Sequence, residues 1–327
     1  MASITLAEAS KLSLDDLVTG VIEAIVDVNP IYYALPFQDI QGNAKTYNRE
    51  NTLGDSQVAG IDGTILAKAA PSYTKVTSNL TTIIGDAEVN GLLQAQQIGG
   101  DITSQNIASK AKSVGRHYQY LMFEGVADGV STPGSHVFPT SPRFPTDDNN
   151  FDGMRVLVEG IGGNQVKKAS GPLSFEDLDA ILNEVKSKDG HVDALCMNDR
   201  EITKLRALER GLGGTYLTEV QNTDFGGNMY LYAGVPIYRS EWIPTDIDNN
   251  LGTGSATDSV VYALNFDSGA ERDGIAGLTS YENMGINVQN VGASETKDNH
   301  IWRVKFYSSF AMYSSLAVAM LTEVDGS

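Results

Sequence analysis

Between residues 37 and 85 the chain carries two strand-like pieces, 44 to 50 and 75 to 84, and neither shows an apolar face. In the first, Lys45, Tyr47 and Arg49 alternate with Ala44, Thr46, Asn48 and Glu50. A strand enters its own core by presenting an apolar row on at least one side, so these pieces have no evident place in one. The β-branched residues are too frequent for a flexible Gly/Ser spacer. The pattern predicts an extended two-stranded hairpin that projects from the body and makes more contacts with another chain than with its own core.

A second segment lacks a local partner. Ser13 and Asp16 form a capping-box-like start, and Leu14, Leu17, Val18, Val21, Ile22 and Ile25 recur at helical spacing until Asn29-Pro30 stops the run. An isolated helix of this length is marginal in water, so its apolar stripe needs a surface, which the position ahead of the main body assigns to another subunit. The strongest helical pattern lies at 103 to 128, where Ile107, Ala111, Val114, Tyr118 and Leu121 step by four and three. Asp101 or Thr103 can cap its start and Gly129 its end, which predicts a spine on the order of 40 Å long.

A Pro-rich loop at 133 to 145 then leads through Asp147, Asp148, Asn149 and Asn150 to an expected short strand at 155 to 158. Ser174 with Asp177 opens a helix whose apolar face is Leu178, Ile181, Leu182 and Val185. A buried strand at 192 to 197 follows, and Asn198 with Glu201 opens a helix bearing Ile202, Leu205 and Leu208. Strands are expected at 230 to 239, 259 to 266, 301 to 313 and 316 to 324. In the third of these Trp302, Val304, Phe306, Phe310 and Met312 share a face. With 33 glycines and 20% charged residues, the composition suits this mixed, α+β reading.

Charge and cysteine content narrow the function. The formal net charge is −18 and the lysines and arginines form no long basic run, so no phosphate-binding stripe is visible and sequence-specific nucleic-acid reading is not expected. Weak repulsion from phosphate does suit a container wall past which packaged DNA must slide. Cys196 is the only cysteine, which excludes an internal disulfide and a cysteine-rich metal site and fits a reducing cytoplasm. Glu8, Asp15, Asp16, Glu23 and Asp27 are foreign to a signal peptide, and no segment approaches the ~20 apolar residues of a membrane span.

Candidate chemistry is sparse. His191, Asp193 and Cys196 stand at steps of two and three along one strand, a spacing that does not preorganise a nucleophile with its base; a buried structural cysteine is expected. The runs Gly160-Ile161-Gly162-Gly163 and Gly211-Leu212-Gly213-Gly214 complete neither phosphate-loop nor dinucleotide patterns and read as turns. Asp147 with Asp148 and Asp246 with Asp248 lack EF-hand spacing, and the histidines at 117, 136, 191 and 300 show no zinc-type pairing. No catalytic residue, cofactor or metal is assigned. An α/β enzyme with a pocket beside the helix after Asn198 is the rival from another class, favoured only by a compact monomer with reproducible turnover.

In order, the elements resemble the major capsid proteins of Hong Kong 97 type tailed double-stranded DNA bacteriophages. The resemblance covers nearly the whole chain. Local likeness lies in Tyr232-Ala233-Gly234-Val235-Pro236-Ile237-Tyr238 ahead of Ser240-Glu241, in 260 to 267, and in the closing stretch 302 to 324. The resemblance implies an N-terminal arm (1–35), an extended hairpin loop (36–88), a peripheral domain with a spine helix (89–170), an axial domain (171–280) and return strands (281–327). It implies hexamers and pentamers of an icosahedral shell around packaged double-stranded DNA, a virion capsid assembled in the host bacterial cytoplasm, and the hairpin of one subunit lying over its neighbour. A separate scaffolding protein, a portal and decoration proteins are the expected partners, because no long scaffolding segment precedes the arm unless the chain is already processed. Self-assembly is expected to rest on Leu14, Leu17, Val21 and Ile25 of the arm and on Tyr47, Arg49, Lys68 and Lys75 of the hairpin. The family's lysine-to-asparagine cross-link is not carried over to named residues. An encapsulin-like compartment, which shares the shell fold, is the nearest alternative.

Overall fold

A computed structural model describes residues 31, 34–52, 70–96, 102–127, 150–161, 163–169, 171–186, 191–212, 217–222, 227–245, 258–269, 273–282 and 285–326. The N-terminal stripe, Lys68, the Pro-rich loop and the loop carboxylates at 147, 148, 246 and 248 lie outside the described residues.

Two sheets are held together by one helix. The first sheet contains β1 (Phe37–Ile40), β4 (Thr81–Asn90), β11 (Ile275–Ser280), β12 (Asn287–Ala293) and β13 (Asn299–Met312). Its long β13 pairs along one edge with β4, from Asn299↔Asn90 to Ser308↔Thr81; on the other edge its first half pairs with β12 and its second half with β11. The second sheet runs in the order β5 (Val166–Lys168), β14 (Val318–Val324), β10 (Ser259–Leu264), β6 (Ala194–Met197), β9 (Val235–Arg239), β8 (Gly227–Tyr232), β7 (Leu217–Asn222). A separate ribbon pairs β2 (Ala44–Thr52) with β3 (Ser72–Asn79).

The central strands of the second sheet are apolar on both faces, and alternate residues feed two cores. Ala194, Cys196, Val260, Tyr262, Leu264, Val318 and Met320 point into one. Leu195, Met197, Val261, Ala263, Ala319 and Leu321 point into the other. Two amphipathic helices close the latter. Helix α4 (Phe175–Lys186) contributes Leu178, Ile181, Leu182 and Val185, the face expected from the sequence, and α5 (Asp199–Leu212) contributes Ile202 and Leu205. Both start as their caps dictate: the Asp177 N–H donates to Ser174 Oγ at 3.2 Å and the Arg200 N–H to Asn198 Oδ1 at 3.2 Å.

The first core is continuous with the first sheet through α2 (Ile102–Glu124), which follows the short α1 (Gly91–Gln96). Val114, Tyr118 and Leu121 of the expected stripe are buried, and Ile107 and Ala111 pack at its margin. Tyr118 meets Phe306 edge-on at 5.1 Å and lies 5.7 Å from Phe37, whose ring occupies the space that a Cβ on Gly277 would need. At 23 residues α2 is about 35 Å long, and it stops at Glu124 rather than at Gly129. The stop has a steric cause. Gly125 sits where a Cβ would lie 2.4 Å from both Leu121 O and Phe151 O, and the Gly153 N–H donates to Gly125 O at 2.8 Å, so α2 meets the start of α3 (Met154–Ile161) backbone to backbone.

Four sequence expectations change. Residues 155 to 158 are helical, within α3, because Met154 and Val158 face the core one turn apart, a period that a four-residue apolar run cannot reveal. The expected strand 230 to 239 is a hairpin, β8 and β9 joined at Ala233 (φ 50°) and Gly234 (φ 82°). The expected strand 75 to 84 divides at Leu80 between the ribbon and the first sheet, so β4 leaves the 36–88 hairpin and joins the body. Likewise β11, inside the span expected for the axial domain, belongs to the sheet beneath α2. Of the glycine runs, Gly160-Ile161 and Gly211-Leu212 end helices, while Gly163 turns with φ 68°.

Candidate assembly surfaces

The ribbon is rooted in its own subunit. Tyr47 stands opposite Val76, and with Leu80 they pack on Ile40, Ala276, Leu278, Ala311 and Tyr313, a small core on the β1–β11–β13 part of the first sheet. The Tyr47 and Tyr313 rings meet edge-on at 4.9 Å, and the Met312 N–H donates to the Tyr47 hydroxyl at 3.3 Å. Arg49, buried, donates from Nη2 to Met312 O at 2.7 Å. Tyr47 and Arg49 therefore face their own chain, which corrects the expectation that the first strand of the segment 37 to 85 has no place against its own core. Among the described residues beyond this root, Ser72 through Lys75 are exposed, with Tyr73 at 62%. The sequence concealed this because a lone Tyr-Val cross-strand pair is too short an apolar row to register as a face.

The second surface is the side of β4, β13 and β12 turned away from α2. Its register sets Asp86 against Arg303 and Ile84 against Lys305, with Gln289 flanking Arg303. Arg303 forms a fork with Asp86, 2.7 Å from Nε and 2.8 Å from Nη2, and this hydrogen-bonded guanidinium holds the Asp86 carboxyl below its ordinary range. Ile84 is 52% exposed on this face. At the edge strand β12, Ile286, Val288 and Val291 are 36%, 41% and 48% exposed; of these, Val288 lies beside Val304 on the α2 side of the sheet, and Ile286 Cδ1 lies 3.9 Å from the Cβ position of Gly115 on α2.

Between the two sheets lies a buried charge cluster absent from the sequence reading. Arg155, fully buried in α3, donates to Glu124 at the end of α2 and to Glu159 one turn on, each at 3.1 Å. Tyr262 of β10 is buried beside them, and burial drives its hydroxyl well above the ordinary tyrosine range. No spacing signal marks this cluster, since its members lie far apart in sequence.

The thiol and its neighbours do not form a reactive set. Cys196 points into the core and burial pushes its thiol up, away from the thiolate that a nucleophile requires. Asp193, 3.1 Å from His191, accepts the Phe266 N–H at 2.7 Å and fixes a loop. Among the described residues no cluster of His, Cys, Asp and Glu is arranged to hold a metal, and no helix is long and apolar enough to cross a membrane.

Comparison with solved structures assigns the fold. The chain superposes on the subunit of the holo-SrpI encapsulin complex from Synechococcus elongatus with a TM-score of 0.66 at 16% identity, covering 100% of this chain and 98% of that one. The capsid chain of an empty GTA particle gives a TM-score of 0.63 at 12% identity over 98% and 99% of the two chains. A chain of Microbacterium phage Oxtober96 gives 0.60 at 14% identity, again over 98% and 99%. No family model and no curated protein matches the sequence. The class defined is the mixed α/β fold that these capsid and encapsulin subunits share.

Proposed function

We propose that this chain is a self-assembling shell subunit, the major capsid protein of a tailed double-stranded DNA bacteriophage, forming hexamers and pentamers of an icosahedral capsid. The reading rests on end-to-end likeness to an encapsulin subunit, a GTA capsid chain and a phage chain, from 98% to 100% of this chain in the three comparisons above. Its partners are further copies of itself, a scaffolding protein, a portal and decoration proteins. The packaged DNA is held without sequence-specific contacts, as the net charge of −18 favours. Lys68, Lys75 and the arm residues Leu14, Leu17, Val21 and Ile25 make contacts between subunits, whereas Tyr47 and Arg49 act at the ribbon's root by fixing its direction.

The encapsulin-like compartment is kept as a second reading because the Synechococcus shell gives the higher TM-score, 0.66 against 0.60 for the phage chain. Electron microscopy of the expressed protein, alone and with a candidate scaffold, is expected to show closed particles. A compact monomer under both conditions refutes the shell. Nuclease-protected genomic DNA in native particles selects the capsid, and packaged protein without a genome selects the compartment. Deleting residues 1 to 30 is expected to leave the circular dichroism of the body intact while reducing particle yield; unchanged particles would remove the arm from the assembly.

A further inference from the structure

Of the seven large apolar side chains that stay exposed among the described residues, three lie on β12 or directly before it: Ile286, Val288 and Val291. Strand β12 is the outer strand beside β13, and no described strand pairs its other edge. Exposed strand edges are ordinarily guarded by lysine, proline or an inward charge. Here residues 285 to 294 contain no charged residue and no proline. Two devices guard the edge: a bulge between Asn290 and Gly292, where Gly292 has φ 106° and its N–H donates to Asn290 Oδ1 at 2.9 Å, and the ammonium of Lys305 on β13, which donates to Gln289 Oε1 on the face away from α2. The bulge lies beyond 286 to 290, a stretch that carries no charged side chain of its own.

Charge sets the condition under which a second copy can pair here. Two copies of a chain with net charge −18 repel over most of their surfaces, and backbone ladders demand strand separations near 4.8 Å, well inside the Debye length of about 8 Å. Only an uncharged edge allows two such chains to approach that closely without a compensating cation. Self-pairing also needs a single self-complementary patch, as two-fold contacts do. Val288 stands beside Val304 in the ladder, on the face that α2 covers, so a strand added at this edge would continue an apolar surface already begun. We propose that β12 pairs antiparallel with β12 of a second copy across a two-fold axis centred near Val288, joining two subunits' sheets into one. This contact rests on the shell reading for its setting but not for its chemistry.

The protein supplies its own assay, since its single native cysteine is buried. Full-length variants carrying one added cysteine at each position from 286 to 290 are oxidised mildly in the native state, blocked with N-ethylmaleimide and run on non-reducing gels. In an antiparallel pair the residue on the axis faces its own copy at about 4.5 to 5.5 Å between Cα atoms, within disulfide range. A residue one step away is separated by roughly 8 to 9 Å, beyond it. The expected result is a dimer band that peaks at one position near Val288, falls on either side, and drops to background when a lysine is introduced beside the peak position, as Gln289→Lys beside Val288→Cys. Particles that form without any such band overturn the contact and leave the shell standing. A peaked band in a chain that makes dimers but no particles sustains the contact and overturns the shell. Equal bands at all five positions and at an exposed Arg210→Cys control, or cross-links that form only to an added second protein, overturn the contact.

Discussion

Replacing Arg155 with methionine is the sharpest test of how the body is held together. Its guanidinium is fully buried between Glu124 on α2 and Glu159 on α3, 3.1 Å from each. Methionine keeps most of the apolar stem, so little cavity opens and the loss isolates the charge. Removing one partner of a buried ion pair strands the remaining charge and costs about 3 to 5 kcal/mol. Replacing the set with apolar residues of similar volume is often neutral, so Arg155→Met combined with Glu124→Leu and Glu159→Leu should recover most of that loss. Urea unfolding of unassembled subunits, followed by circular dichroism, gives both numbers from the midpoints. A single variant within ~1 kcal/mol of the parent, or a triple variant as unstable as the single, refutes the claim that the cluster is a paired, desolvated joint between α2 and α3.

Two glycines of α2 and its end should respond in opposite directions to alanine. Gly125→Ala drives a Cβ to 2.4 Å from two carbonyl oxygens and should cost several kcal/mol with a lowered Tm, while Gly115→Ala, whose nearest neighbour is Ile286 Cδ1 at 3.9 Å, should gain about 0.5 to 1 kcal/mol from helix propensity. Cys196 should resist thiol reagents in the folded protein at pH 8 and react on unfolding, and Cys196→Ala should leave particle formation intact; rapid native labelling would contradict its burial. Because Arg303 lowers the Asp86 pKa, the pair stabilises the fold above the unfolded-state aspartate pKa and loses that contribution as pH falls through the lower folded value. Asp86→Asn should therefore narrow the stability difference between neutral pH and pH 3, read as Tm, and an unchanged pH profile would exclude the pair from acid sensitivity.

Legibility in the sequence followed the length of the periodic pattern. The stripe from Ile107 to Leu121 spans four helical turns, and α2 forms there; the Ser174 and Asn198 caps mark helices because a cap and a following stripe agree. Residues 154 to 158 offered one turn of apolar residues, for which strand and helix periods coincide. The turn at Ala233-Gly234 was hidden because alanine rarely adopts positive φ and so gives no Asn-Gly signal. Leu80 divides two strands that read as one, since the change of sheet is decided by pairing with β13 far along the chain, 223 residues later in Ile83↔Phe306 and 227 in Thr81↔Ser308. The capsid-type fold was visible in element order. The ribbon's root, the Arg155 cluster and the neutral edge were not, because each is made of residues brought together only by the fold.

The distribution of burial also bears on how such a subunit could associate. Alternate residues of β6, β10 and β14 enter two cores, and α2 ties one of them to the first sheet, so displacing any of these elements disrupts packing on both sides. Among the described residues the large apolar side chains left exposed are few and scattered: Tyr73 on the ribbon, Ile84, Leu92, Tyr281, and Ile286, Val288 and Val291 at the edge. At ~25 cal/mol per Å², a few hundred Å² of apolar contact at such a place yields several kcal/mol, much of it offset by lost rotational and side-chain freedom. Each contact is then weak enough to break and reform. Closure changes the balance, because a subunit inside a complete shell makes every such contact at once and the entropy lost on joining is incurred once rather than per contact. In the shell proposed for this chain, several weak, separated contact sites favour closed particles over tight dimers and let a misplaced subunit leave before its neighbours lock it in.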